Sequence, residues 1–264
     1  MTSGKATIGV LGGMGPEATI LFMQKIVDAV RANDDSDHVP LIVHNNTQVP
    51  SRINALIGEA GSEPGPGPVL AEMAQSLEKA GAAALAMPCN TAHCYAPAVV
   101  DAVSIPFLDM VALAADRASA LAGPGARVGV LGSPALEQTG IFRRPLERAG
   151  LTPVHGRDGD PRLTLIRSVK RHGVSPDAID ALQGAADHLE ACGVDLMMVC
   201  CTEFSLMAQK LRTAIPLFDT IDSLVDACVA FSTGKSPPSE VAHRSSAASA
   251  PLQIDQLGKE NLQC

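Results

Sequence analysis

An internal repeat constrains this chain more than any other feature. ATIGVLGGMGP (residues 6–16) is echoed by ARVGVLGSPAL (126–136), and GAAALAMPCNTAH (81–93) by GVDLMMVCCTEF (193–204). SIPFLDM (104–110) is echoed by AIPLFDT (214–220). The three pairs keep the same order at offsets between 110 and 120 residues, as a duplicated unit would. Each unit opens on a short apolar run that ends in glycine, which suits a buried parallel strand leading into a tight turn.

The segments between the echoes alternate in period. PEATILFMQKIVDAV has helical apolar spacing, with Pro16 placed for a first helical turn. LIVHN (41–45) reads as a strand, VLAEMAQSLEKAG (69–81) as a helix closed by Gly81, and AALAM as the strand that delivers Cys89. In the second half RVGVLG, a helix near ALEQTGIFRRPLERAG, and SPDAIDALQGAADHLEACG before DLMMV repeat the alternation. The expected fold is α/β, with two pseudo-symmetric lobes and the active site in the cleft between them. Each lobe is a mainly parallel sheet flanked by helices, with functional groups at the carboxyl ends of its strands. The first lobe is expected over 1–112, completed by 215–231, and the second over 113–214. GSEPGPGP (61–68) reads as a loop, and 232–264, rich in Ser, Ala and Pro, as a disordered tail.

Composition narrows the function. A net charge of −8 supplies no basic face for nucleic acid. No apolar run approaches the roughly 18 residues of a membrane span, and the start lacks the pattern of a secretory leader. Seven cysteines, an odd number in a chain of 264 residues, read as thiols, and the expected location is the cytoplasm. None of the seven histidines pairs with a cysteine at zinc spacing, so no metal is expected. GMGPEA (13–18) fits a dinucleotide fingerprint, but LIVHNN ends in His and Asn where an acidic residue should bind ribose. We set that reading aside; the glycines Gly12 to Gly15 better suit a floor beneath a substrate.

The repeat itself points to chemistry. Cys89 and Cys201 stand at equivalent places, each after an apolar strand and each expected to open a helix. A thiol at a helix N-terminus sees free N–H groups and the positive dipole end, which favour thiolate. Two such groups facing across a cleft can take a proton from one face of a carbon and return one to the other, without a cofactor. Cys200, next to Cys201, should be turned away by strand alternation. His93, four residues beyond Cys89, is expected to be a hydrogen-bonded helix residue, with tuning of the thiol as the other reading. Glu203 reads as a first-turn carboxylate or an orienting group.

GVLGGMGPEAT (9–19), MPCNTAH (87–93) and CCTEF (200–204) closely resemble the aspartate/glutamate racemase family, in its aspartate-racemase branch. The resemblance runs from about residue 7 to residue 231. It implies a two-lobed fold, Cys89 and Cys201 as the catalytic pair, no pyridoxal phosphate, and a homodimer. It further implies that Met14, Gln48, Asn90, Thr91 and Thr202 line the substrate. NNTQVPSR (45–52) places Arg52 on a substrate carboxylate, where a forked guanidinium binds in bidentate fashion. LIRSVKRHG (165–173) implicates Lys170 at the other end of a dicarboxylic amino acid. The chain departs from the pattern at Ser51, where Asp is commoner, and at Cys200, where Gly often stands. The expected activity is aspartate racemisation. The alternatives are glutamate or broad specificity, a maleate-type isomerisation or decarboxylation of a small diacid, and a non-enzymatic amino-acid-binding protein.

Overall fold

A computed structural model of the chain describes residues 4–57, 65–156 and 161–235. The first unit runs β1 (Ile8–Gly12), α1 (Pro16–Asp28), β2 (Leu41–Asn45), α2 (Arg52–Ile57) and α3 (Pro66–Lys79). It continues through β3 (Ala84–Ala86), α4 (Ala96–Ala102), β4 (Phe107–Leu108) and α5 (Met110–Ala122). The second runs β5 (Arg127–Leu131), α6 (Pro134–Thr139), α7 (Arg143–Arg148), β6 (Thr152–Val154), α8 (Arg162–His172) and α9 (Pro176–Ala191). It closes with β7 (Leu196–Val199), α10 (Thr202–Ser205), β8 (Leu217–Asp219) and α11 (Thr220–Ser232).

The strands form two four-stranded parallel sheets, ordered β2-β1-β3-β4 and β6-β5-β7-β8. Both faces of each sheet are covered, which is why the strands read as unbroken apolar runs rather than alternating ones. Leu11, Leu85 and Phe107 pack on one face of the first sheet beneath α3 and α4; Ile8, Val10 and Leu108 pack on the other beneath α1. In the second sheet Val128, Val130 and Met198 meet α6 and α7 on one side, while Met197 and Val199 meet α8 and α9 on the other.

The helices that leave the two sheets are exchanged. α5 follows β4 of the first sheet, yet Val111, Ala114, Ala115 and Ala118 lie in the core of the second. α11 follows β8 of the second sheet, yet Ile221, Leu224, Val225, Ala227 and Cys228 lie in the core of the first. The lobe boundary drawn from sequence therefore needs one amendment. β8, inside the 215–231 stretch assigned to the first lobe, pairs with β7 in the second sheet, and only α11 crosses back. β8 is three residues long and apolar like its counterpart, so its sequence does not mark its sheet.

Local departures have local causes. α3 begins at Pro66, three residues before the expected start, because Pro66 takes the first helical position, where its missing N–H is no loss. The rest of the expected loop, residues 61–64, lies outside the described residues, as does the tail from 236 on. The single helix expected near 135–150 is two, broken where Gly140 turns left-handed at φ 61°. No helix among the described residues is long and apolar enough to cross a membrane.

Asp109 and Asp219, the aspartates of the echoed FLD and LFD, cap α5 and α11 through side-chain bonds to Val111 and Ile221 N–H groups. They differ in environment. Asp219 is buried, and burial lifts its carboxyl to about 7 despite hydrogen bonds from Ile221 N–H and the Ser205 hydroxyl. A carboxyl whose folded pKa exceeds its unfolded 3.8 is stabilising while protonated and becomes progressively costly as pH rises from about 4 to about 7. The full difference is up to about 4 kcal/mol. Asp219→Asn keeps an oxygen for both donors and cannot ionise. Its stability advantage over wild type is expected to grow between pH 5 and pH 8, read as the difference in melting temperature at the two values.

Candidate active site

In each sheet the chain moves outward from β1 (or β5) to one edge, then returns across to β3 (or β7). The loops at the carboxyl ends of these two central strands therefore diverge to opposite faces and leave a crevice between them. The glycine loop (Gly12–Gly15) and Cys89 flank the crevice of the first sheet, and Gly132–Ser133 and Cys201 that of the second.

The two crevices face each other. The Thr91 hydroxyl, just past Cys89, lies 3.4 Å from the Ser133 hydroxyl of the second unit. Reciprocally, Glu203, just past Cys201, reaches the glycine loop of the first unit: a Cβ placed on Gly15 would sit 3.9 Å from its Oε1. Each cysteine loop thus meets the strand-end loop of the other unit, as a pseudo-two-fold axis requires.

The turns holding the cysteines share one device. Four residues beyond each cysteine a polar side chain faces the cysteine carbonyl: His93 Nδ1 donates to Cys89 O at 2.9 Å, while Ser205 Oγ lies 3.3 Å from Cys201 O and shares its one hydrogen with Asp219 Oδ1 at 3.0 Å. His93 Nε2 accepts the Met110 N–H at 3.1 Å, which fixes the neutral tautomer with the proton on Nδ1. Burial holds His93 below the ordinary histidine range, against the opposing pull of Asp109 and of the Cys89 carbonyl. His93 is thus the hydrogen-bonded residue of the first reading, a strut between the Cys89 turn and the start of α5.

Cys89 and Cys201 are 8% and 9% exposed, open just enough to be reached. Cys89 precedes a 3-10 turn over Thr91–Tyr95, and Cys201 caps the four-residue α10. The expectation that a helix end favours thiolate fails at Cys201. Burial, then the adjacent Glu203 carboxylate, push its thiol well above the usual cysteine range. One turn of helix carries too small a dipole to offset either. Cys200 lies on the opposite sheet face, in the α5 side of the core, as alternation requires. Cys89, Cys94, Cys200, Cys201 and Cys228 are free thiols.

The other expected residues are gathered unevenly. Asn90 is buried, and its Nδ2 donates to Thr220 Oγ1 at 3.0 Å, whose hydroxyl donates to Val199 O. Asn90 Oδ1 is buried with no hydrogen-bond partner among the described residues. Thr202 is buried at the start of α10, and Met14 joins the apolar cluster that contains Val49 and Cys89. Arg52 opens α2, with Nη1 held by the Val49 and Pro50 carbonyls and no carboxylate partner among the described residues. Lys170 projects from α8 to Glu203 Oε1 at 3.1 Å with its side chain 43% exposed, and Arg167 and Arg171 are exposed as well. Gln48 is exposed and bonds only its neighbours Thr47 and Asn46, so the structure does not bring it to the others.

Two residues were passed over in the sequence although the repeat marks them. Ser133 stands at the place of Gly13 in the echoed strand-end loop. Arg162 opens α8 after the second strand of its unit, as Arg52 opens α2, and its buried guanidinium donates to Gly132 O at 3.0 Å. Ser133 lies inside a matched segment, and extending the repeat beyond its three segments would have found Arg162.

A family model described as Asp/Glu/Hydantoin racemase matches residues 11–228. The broad specificity amino-acid racemase RacX of Bacillus subtilis (strain 168) is 25% identical over 231 residues, 86% of this chain and 96% of that protein. Among solved structures, the Picrophilus torridus aspartate racemase superposes with a TM-score of 0.76 at 28% identity, over 88% of this chain and 96% of its own. Glutamate racemase from Francisella tularensis, solved with D-glutamate, shares the fold at a TM-score of 0.63 and 13% identity, over 89% and 85%. The match over most of the chain, on a fold of two parallel sheets with a cysteine at the end of each third strand, makes this protein a member of the Asp/Glu/Hydantoin racemase family and an isomerase acting on amino acids.

Proposed function

We propose that the enzyme racemises aspartate by a two-base transfer of the α-proton between Cys89 and Cys201. The observation that carries the reading is their equivalence: each lies just beyond the central strand β3 or β7, and each adjoining turn touches the other unit's strand-end loop. One thiolate removes the α-proton while the opposite thiol supplies one to the other face, so the chemistry calls for no cofactor. Arg52, which meets no carboxylate among the described residues, is a ready partner for a substrate carboxylate. Asn90 Oδ1 can accept from the substrate ammonium, and Thr91 and Thr202 complete the two turns. Met14 provides an apolar wall, and Gln48 reaches the cleft only if its loop moves. Charge developing on deprotonation would be stabilised by these groups.

Aspartate is favoured by the likeness to the Picrophilus torridus enzyme. The likeness to RacX supports broad specificity as the second reading, and glutamate is the third. A site run by two thiols suits the cytoplasm. Ile20, Met23 and Val27 form an exposed apolar stripe on α1 that a second copy would cover in a homodimer.

The test is α-proton exchange followed by NMR in D₂O, with no added cofactor, on both enantiomers of aspartate, glutamate and a neutral panel. Exchange with loss of optical rotation, fastest on aspartate, is expected. Comparable rates on neutral amino acids would replace aspartate with broad specificity, and inertness on all of them would sink the racemase reading.

A further inference from the structure

Lys170, Glu203 and Cys201 form a connected line from the cleft edge to the buried sulfur. Lys170 Nζ lies 3.1 Å from Glu203 Oε1, and the Cys201 thiol donates to Glu203 Oε2 at 3.0 Å. The Lys170 side chain is 43% exposed and that of Glu203 only 11%, so the carboxylate is pinned between a solvated cation and a buried S–H. Cys89 has no such partner among the described residues: its turn carries Asn90 and Thr91 in place of Thr202 and Glu203.

We propose that Glu203, anchored by Lys170, is a positioning residue that holds the hydrogen of Cys201, so that the resting enzyme has Cys201 as acid and Cys89 as base. The inference rests on the two-cysteine reading above and adds an asymmetry that the duplicated fold alone does not contain. An ionised Cys201 would forfeit its hydrogen bond and face the Glu203 carboxylate at contact distance in a site screened from water. The charged groups around the turn support the same direction. Glu17, from the first turn of α1, flanks the same glycine, and Asp219 approaches through Ser205. Lys170, from α8, is the opposing charge, and Lys210, on the turn that follows, is exposed. Lys170 also acquires a different task from the one implied by sequence: its first partner is Glu203, and a substrate carboxylate would have to share it.

In a racemase the enantiomers have equal free energy, so this asymmetry cannot favour one direction at equilibrium. It fixes which protonation state must be restored after each turnover. The experiment therefore reads the sulfurs rather than the turnover: alkylation of Cys201 and Cys89 by iodoacetamide as a function of pH, quantified by peptide mass spectrometry. Glu203→Gln, which removes the charge, should lower the Cys201 midpoint by about one pH unit or more and leave Cys89 unmoved. Lys170→Met, which leaves Glu203 uncompensated, should move Cys201 the opposite way. Unchanged Cys201 midpoints, or shifts of the same sign in both variants, would overturn the proposal. Failure of the two-cysteine reading would show differently, as racemisation that survives loss of Cys201 while these midpoints still shift.

Discussion

Cys89→Ser and Cys201→Ser are each expected to cut racemisation by roughly a thousandfold or more while the protein remains folded. Serine nearly matches cysteine in size, and both positions retain slight solvent access, so the fold has little reason to fail. Its hydroxyl is far less acidic than a thiol and cannot serve as the base at neutral pH. What survives should be one-sided. With Cys201 lost, Cys89 can still detach the proton on its own face and return a solvent deuteron there, which gives exchange without inversion. The Cys89 variant should do the same for the opposite enantiomer, but more slowly, because Glu203 holds the remaining thiol protonated. Circular dichroism for inversion and NMR for exchange separate the two events. If either variant inverts substrate at near wild-type rate, two-base chemistry is wrong for this enzyme.

The second large effect concerns backbone. Gly13 has φ +89°, and a Cβ there would lie 2.3 Å from the Asn46 carbonyl carbon and 2.4 Å from its oxygen. No side-chain rotation relieves an overlap with main chain; the loop after β2 must move. Gly13→Ala should cost about 3 kcal/mol or more, combining the left-handed backbone with the clash. Asn46 is bonded to Gly12 and begins the segment that ends in Arg52. The folded fraction should therefore also lose kcat/KM, by about a hundredfold, because the guanidinium shifts with its loop. Gly150→Ala is the control. Its φ is +74° with nothing within 4 Å of the added methyl, so only the backbone penalty of about 1–2 kcal/mol applies and activity is retained. Denaturant titration with steady-state rates on both variants decides the matter. A stable, active Gly13→Ala protein would mean the strand-end loops are more pliant than their packing implies.

Much of this was legible in the chain because duplication wrote it twice. Parallel strands covered on both faces leave apolar runs, and two copies of the same run, glycine loop and cysteine are hard to mistake. Cys89 and Cys201 stand out for that reason; the echo also repeats Asp109 and Asp219, whose capping of α5 and α11 only the structure shows. Relations between distant segments were hidden. Nothing in LIRSVKRHG says that Lys170 meets Glu203 rather than standing free, because that depends on how α8 packs beside α10. Gln48 and Arg52 stand in one string, NNTQVPSR, yet a turn bonded within itself leaves Gln48 exposed while Arg52 opens a helix. The raised carboxyl of Asp219 was equally invisible; Asp109 carries the same motif at a less enclosed helix start.

The exchange of α5 and α11 bears on how the molecule comes apart. Each helix springs from one sheet and seals the other, and the two pack against each other where they cross. Cutting the chain between the units would strip an apolar face from both, so neither half is an autonomous folding unit despite its resemblance to a complete domain. The crossed pair also ties the two units together, since sliding or full separation would tear both cores. Duplication supplied two equivalent half-sites, and the traded helices keep them in register.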